Sequence, residues 1–297
     1  CDAWCRSVPT CVVWTWMPFF DNSTCYLKSR ANPTPKWGAL SLANASCTAS
    51  AINTSTMRTG LREDGLSTWG GSPVRGEDGL FHIFASEFDQ GHGLSTWEER
   101  SQIIHAVSES GDVLGPYRKV EVVLPAFHHN PSIRRHPDGT FLLFFIGGNQ
   151  SKSAGMRGPG QKKESSISFG HSRSVWGPWT FETRTLPGTA SGNWDTDSTN
   201  PSPVILQNGS VLLLYRGTFD PHNSSALPCW NRIGIAEAAH WSQPFRRLRN
   251  GPIFHNLSVC NEDPVGFVDA KNTLHVLMHS MNPQRGEPGY PQLVGRR

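Results

Sequence analysis

Glu262 and Asp263 stand side by side before Pro264, and Asp195 and Asp197 lie two apart in Asn193-Trp194-Asp195-Thr196-Asp197. Adjacent carboxylates repel, and such repulsion is one way a carboxyl group keeps the proton that acid catalysis needs. The structural alternative is that Glu262 and Asp263 cap a strand and accept backbone N–H groups. Around these acids lie imidazole, amide and guanidinium groups: His82, His128, His129, Asn130, Asn200, Arg216 and His279. Such groups bond hydroxyls well, and each is also common as an ordinary structural residue. The chain carries 11 tryptophans, and an indole face is a platform for a ring. Trp69 and Trp194 precede strand openings and are candidates for that role, whereas Trp176 and Trp179 flank a turn and read as packing. His128-His129 has no carboxylate or third histidine at ligand spacing, and Cys1 with Cys5 makes no paired ligand set. Neither a metal nor a cofactor is therefore expected.

A repeat positions these groups. Gly71-Ser72-Pro73-Val74, Asn130-Pro131-Ser132-Ile133, Asn200-Pro201-Ser202-Pro203-Val204 and Glu262-Asp263-Pro264-Val265 each open a short strand. Each is followed by a turn (Asp78-Gly79, Asp138-Gly139, Asn208-Gly209, Ala270-Lys271-Asn272) and a second apolar strand. Asp-Gly and Asn-Gly supply the positive φ angles of two-residue hairpin turns. Third strands are expected at Gln102–Val107, Ser166–Gly170 and Ile233–Ala236, and a fourth at Lys119–Leu124. Antiparallel four-stranded units repeated around an axis make a β-propeller, which protects sheet edges. Three units are complete and a fourth is partial, so the all-β array is expected to be truncated at its C-terminus. The pentapeptide Gly-Leu-Ser-Thr-Trp occurs twice, ending at Trp69 and Trp97, with no evident reason in the sequence.

Residues 1–48 are Cys- and Trp-rich, 49–60 are small and polar like a linker, and 61–297 carry the repeat. Four of the seven cysteines fall within the first 25 residues, and seven Asn-x-Ser/Thr acceptors occur, at Asn22, Asn44, Asn53, Asn149, Asn208, Asn223 and Asn256. Together they point to a disulfide-containing, glycosylated protein of the secretory pathway. The chain starts at Cys1 and reads as a mature form or a fragment. A net charge of +3 gives no bias toward nucleic acid, and no apolar run is long enough to span a membrane.

The N-terminal unit resembles the PAN/apple domains. Cys1, Cys5, Cys11 with Val12-Val13-Trp14-Thr15, and Cys25-Tyr26-Leu27-Lys28-Ser29 carry the likeness, which covers the first 48 residues and lacks the domain's beginning. It implies contact with a protein or a glycan; a disulfide-stapled spacer is the alternative.

The repeat region resembles the five-bladed propellers of the arabinanase, levansucrase and invertase superfamily, most of all glycoside hydrolase family 43. The openings at Asn130 and Asn200, Glu262-Asp263-Pro264 and Ser174-Val175-Trp176-Gly177-Pro178-Trp179 carry it. The resemblance implies five blades, the fifth missing here, and a site on the axis where the inner strands begin. In that family a general acid and a second carboxylate flank the scissile bond. Glu262, two residues before Pro264, matches the acid. At blade three Asn200 stands where the family has Asp, with Asp197 as the nearby substitute. Blade one offers Gly71-Ser72-Pro73 and no carboxylate. The expected catalytic set is Glu262, Asp263 and Asp197. Trp69, Ser72, His129, Asn130, Trp194, Asn200, Arg216 and His279 are expected to bind a poly- or oligosaccharide. The alternative is a non-catalytic carbohydrate-binding or adhesion module with a degenerate site.

Overall fold

The computed structural model describes residues 13–17, 24–28, 60–88, 91–147, 166–186, 193–218, 231–254, 260–270 and 272–281. The chain divides into two compact units, Arg58–Met278 and a second made of Cys1–Met57 with His279–Arg297. In the second unit, β1 (Val13–Met17) and β2 (Thr24–Lys28) pair as an antiparallel hairpin. Cys1, Cys5, Cys11 and Cys47 lie outside the described residues, as does nearly all of the expected linker.

The large unit is a run of antiparallel sheets. Blade one is β3 (Ser67–Arg75), β4 (Phe81–Phe88), β5 (Ser101–Ser108) and β6 (Tyr117–Leu124). Blade two is β7 (His129–Arg135), β8 (Phe141–Ile146), β9 (Ile167–Ser172) and β10 (Thr180–Leu186). Blade three is β11 (Asp197–Ile205), β12 (Val211–Thr218), β13 (Asn231–Ala238) and β14 (Arg246–Arg247). Blade four is the pair β15 (Cys260–Val268) and β16 (Leu274–Met281). The inner strands β3, β7, β11 and β15 pack against one another in that order, the arrangement of a propeller. Besides strands, the described residues hold one 3-10 turn, Leu94–Thr96, and one helical turn, α1 (Trp97–Arg100). No helix among them is long and apolar enough to cross a membrane.

Alternation along the second strands explains why blades stack. Phe141, Leu143 and Phe145 point toward blade one and join Phe84, Ile103 and Leu124. Leu142 and Phe144, one residue out of phase, face blade three and join Val211, Leu213 and Tyr215. β8 is apolar throughout because both of its faces are covered. Leu214 and Val204 continue the stack toward Val268, Leu274 and Val276 of blade four.

The hairpin turns repeat, but in a longer form than the two-residue loop their Asp-Gly and Asn-Gly pairs suggest. In each, the residue closing the first strand donates to a carbonyl four residues on and accepts from an N–H three residues on. The pairs are Gly76 with Leu80 and Gly79, His136 with Thr140 and Gly139, Leu206 with Ser210 and Gly209, and Asp269 with Thr273 and Asn272. This is a three-residue loop, a type I turn finished by a left-handed residue. Gly79, Gly139, Gly209 and Asn272 take that position, at φ 84°, 89°, 84° and 62°.

Candidate functional site

At the other end of β3, β7 and β11 the pairing slips in the same way. In blade one Trp69 pairs with Ser86 and Ser72 with Phe84, which leaves Gly70-Gly71 opposite Ala85. In blade two Asn130-Pro131 stands opposite Phe145, and in blade three Asn200-Pro201 stands opposite Tyr215. Two residues facing one is a β-bulge, and a bulge re-aims the side chain it carries. The first bulge residue is left-handed each time: Gly70 at φ 61°, Asn130 at 53° and Asn200 at 52°, with Asp263 at 47° before Pro264 in blade four. Glycine, asparagine and aspartate are the types that tolerate this region, and in blades two, three and four the next residue is a proline, whose ring fixes its own φ. The register therefore equates Gly70 with Asn130. The sequence alone aligns Ser72 with Asn130, because Pro73 mimics Pro131.

The bulges bring distant residues to one place. Asp263 Oδ1 accepts from Nδ2 of Asn130 at 3.4 Å and from Nδ2 of Asn200. A Cβ placed on Gly70 would stand 2.5 Å from Asn130 Oδ1, so blade one reaches the same point with bare backbone. Glu262, one residue before the left-handed Asp263, accepts from Arg216 Nη1. Arg216 sits on β12 across from Thr199. The Asn130 N–H donates to Ser86 Oγ at 2.8 Å. His129 is buried, with Nδ1 2.7 Å from Ser101 Oγ and its ring 5.0 Å from that of Trp97. Burial pushes its imidazole down to about 4; Asp263 opposes that shift and Arg216 reinforces it. His129 is thus a neutral imidazole near pH 7.

The cluster is not closed. Thr199 Oγ1, Arg216 Nε and Asn261 Oδ1 are buried side-chain atoms with no hydrogen-bond partner. All three belong to, or adjoin, residues of the axial cluster. Buried polar atoms are nearly always partnered; the other exceptions among the described residues, Thr140 Oγ1, Trp179 Nε1 and Thr185 Oγ1, lie elsewhere, and at this cluster water or a ligand would complete the bonding. Here the group comprises a hydroxyl, an N–H donor and a carbonyl acceptor. Vicinal hydroxyls, which donate and accept, match such a set.

The remaining candidates are placed as follows. Trp69 is half-buried and holds in blade one the register position of His129 and Thr199. Ser72 lies past the bulge, where its Oγ accepts the Ile133 N–H at 2.8 Å and ties blade one to blade two. Trp194 stacks on Tyr215, and its ring fills the space over Gly217 and Gly234. Asp197 opens β11 opposite Thr218. Asp195 is buried beneath, accepting from Tyr215 Oη at 2.9 Å and Arg247 Nε at 2.6 Å. His82 bonds His105 at 2.8 Å inside blade one. Trp179 packs on the core between blades one and two, while Trp176 is exposed. His279 is on β16, beyond the large unit. Sequence reasoning missed Gly70, Ser86, Ser101, Trp97, Thr199 and Asn261. One signal pointed at two of these places: the repeated Gly-Leu-Ser-Thr-Trp ends at Trp69, beside Gly70, and at Trp97, beside His129.

No family model matches the chain, and no curated protein matches it in sequence. Solved structures do share its fold. A thermostable family-43 glycoside hydrolase superposes with a TM-score of 0.52 at 16% identity, over 72% of this chain and 65% of its own. A protein of unknown function from Dyadobacter fermentans gives 0.55 at 11% identity, over 75% and 64%. The inulosucrase from Halalkalicoccus jeotgali, solved bound to kestose, gives 0.50 at 15% identity, over 72% and 58%. This chain thus spans less than two thirds of the length of each. At such identities the likeness is one of fold, an all-β propeller-like stack.

Proposed function

We propose that this chain acts on an oligo- or polysaccharide at the axial cluster, as a glycoside hydrolase in which Glu262 is the general acid. The observation that carries the proposal is that Arg216, which pairs with Glu262, and the neighbouring Thr199 and Asn261 each keep a buried side-chain atom without a partner. The fold shared with a family-43 glycoside hydrolase supports the same reading, and the five-bladed class belongs to it. In this scheme Glu262 protonates the leaving oxygen and Asp263, or Asp197 at the mouth of β11, serves as the second carboxylate. Arg216 orients Glu262. Asn130, Asn200 and the neutral His129 line the sugar.

A second reading is favoured by one observation. Blade one presents Gly70-Gly71 where the family's base would stand, which fits a module that binds a glycan without cleaving it. Export through the secretory pathway belongs to the proposal too. Cys260 is disulfide-bonded, Asn208 is exposed in the β11–β12 turn, and both suit an oxidising, glycosylating compartment. The apple-like residues 1–48 are proposed as a further protein or glycan contact.

The deciding experiment combines binding and product release on a glycan panel for the wild type and Glu262→Gln. Hydrolysis expects sugar release that falls at least about 100-fold in Glu262→Gln with binding retained. Binding without release by the wild type would leave the second reading. Release unchanged in Glu262→Gln would remove the proposed acid.

A further inference from the structure

At the turn end of blades two and three, three ligand-bearing side chains from distant parts of the chain meet. His136 closes the first strand of blade two and Asp138 lies in the turn that follows. His240 comes from the β13–β14 loop of blade three. Their nearest donor atoms lie within 4.8 Å of one another. His136 Nδ1 is 3.0 Å from Asp138 Oδ1, and His240 Nε2 is 3.4 Å from Asp138 Oδ2. Ligands about 2.0–2.1 Å from a tetrahedral ion are separated by roughly 3.3 Å, near each of these spacings, one to either oxygen of the Asp138 carboxylate.

The hydrogen bonds around His136 show what is lacking. Its Nε2 is 2.8 Å from the Gly209 carbonyl. A carbonyl only accepts, so Nε2 carries the proton. In the neutral ring Nδ1 is then a lone pair, consistent with its acceptance of the Asp138 N–H at 3.3 Å. That lone pair faces a carboxylate oxygen. Two acceptors at 3.0 Å repel unless a cation stands between them, either a proton on His136 or a metal. The imidazole–carbonyl bond that fixes His136 is the usual outer support of a metal-binding histidine. His240 has the same kind of support from Ser242, whose Oγ is 2.8 Å from Nδ1. The Ser242 N–H also approaches Nδ1, at 3.3 Å, so a metal on Nε2 requires the tautomer with Nδ1–H donating to Oγ.

We propose that His136, Asp138 and His240 form a divalent metal site of the zinc class, with water completing the coordination, that clamps blade two to blade three. Two nitrogens and one carboxylate oxygen suit Zn²⁺ better than Ca²⁺ or Mg²⁺, which prefer all-oxygen sets. The junction of blades one and two has a metal-free counterpart. There Glu77 of one turn accepts from Ser174 Oγ and the Val175 N–H of the next blade. The site is separate from the axial cluster, at the opposite end of the inner strands.

The test is a chelator-stripped full chain titrated with Zn²⁺ alone, read by calorimetry and by Tm, beside His240→Ala. His240 is part-exposed, so that variant is expected to keep the apo Tm. The expected result is one equivalent bound through this site and a Tm rise of about 5 °C at hundredfold excess over Kd. That increment should be lost in His240→Ala. No Zn²⁺-dependent rise in the wild type would overturn the proposal, and so would an equal rise in His240→Ala.

Discussion

Two carboxylate clusters of similar make-up lie against blade three. One is buried around Asp195, whose oxygen receives the Tyr215 hydroxyl and the Arg247 guanidinium, with Arg247 lying 5.7 Å over the Tyr215 ring. The other is the axial cluster, where Glu262 meets Arg216, and Asp263 meets Asn130 and Asn200. Both use arginine, both cross between strands, and both contain acids that the sequence offers for catalysis. They differ in what surrounds the acid. Around Asp195 the neighbouring donors are used within the protein. Around Glu262, Thr199 Oγ1, Arg216 Nε and Asn261 Oδ1 are left without partners. A partnered buried carboxylate holds strands together; unpartnered polar atoms next to the other leave hydrogen-bonding capacity unused.

That contrast breaks most visibly at Asp195. Asp195→Ala leaves the Arg247 guanidinium and a buried tyrosine hydroxyl uncompensated, and should cost about 3–5 kcal/mol in urea unfolding. Glu262→Gln keeps the side chain's shape and an acceptor oxygen for Arg216, and should cost less, about 1–2 kcal/mol. A similar loss in both variants would erase the distinction.

The next effect in size is acid sensitivity at His129. Its folded-state pKa of about 4 lies below the ordinary histidine value of about 6.5. Between those pH values the unfolded chain binds the proton and the folded chain does not. The stability contribution is therefore full above about pH 6.5 and falls away as pH drops toward 4, by roughly 3 kcal/mol. Urea midpoints at pH 7.5, 5.5 and 4.5 should show that slope, and His129→Asn should flatten it.

Smaller still is the axial pair of amides. The double variant Asn130→Gly with Asn200→Gly keeps the left-handed backbone and removes both side chains. Glycan affinity should fall at least about tenfold, or 1.4 kcal/mol, with Tm nearly unchanged. The smallest expected change is Gly70→Ala, where a left-handed alanine costs about 1 kcal/mol and displaces Asn130 from its position. A Tm drop of a few degrees at most, with weakened glycan binding, is the outcome to measure.

How far the sequence carries can be seen residue by residue. The blades were legible because alternation in strands such as Phe141–Ile146, and the Asp-Gly or Asn-Gly turns, are local properties. Asn130, Asn200 and Asp263 were legible because each precedes a proline in a repeated frame. Gly70 was not, since a bulge changes register without changing residue type, and Ser72-Pro73 offered a false match. Gly-Leu-Ser-Thr-Trp shows the limit most sharply. Its first copy runs into β3 as strand, while Leu94-Ser95-Thr96 of the second is a 3-10 turn leading into α1. Five identical residues adopt two conformations because tertiary pairing with β4 overrides local preference. Trp194 reads as a sugar platform, while the packing of its ring over Gly217 and Gly234 is set by tertiary contacts that no local pattern shows. His136 and His240 come together only through the packing of blade two on blade three, which no spacing in the sequence reveals.

The open axial cluster as a sugar site is most directly tested by a crystal structure of Glu262→Gln with an oligosaccharide that the wild type binds. The expected result places sugar hydroxyls within hydrogen-bond distance of Arg216 Nε and Thr199 Oγ1, beside Asp263. A sugar lodged away from the openings of β3, β7, β11 and β15, with those atoms untouched, would contradict it.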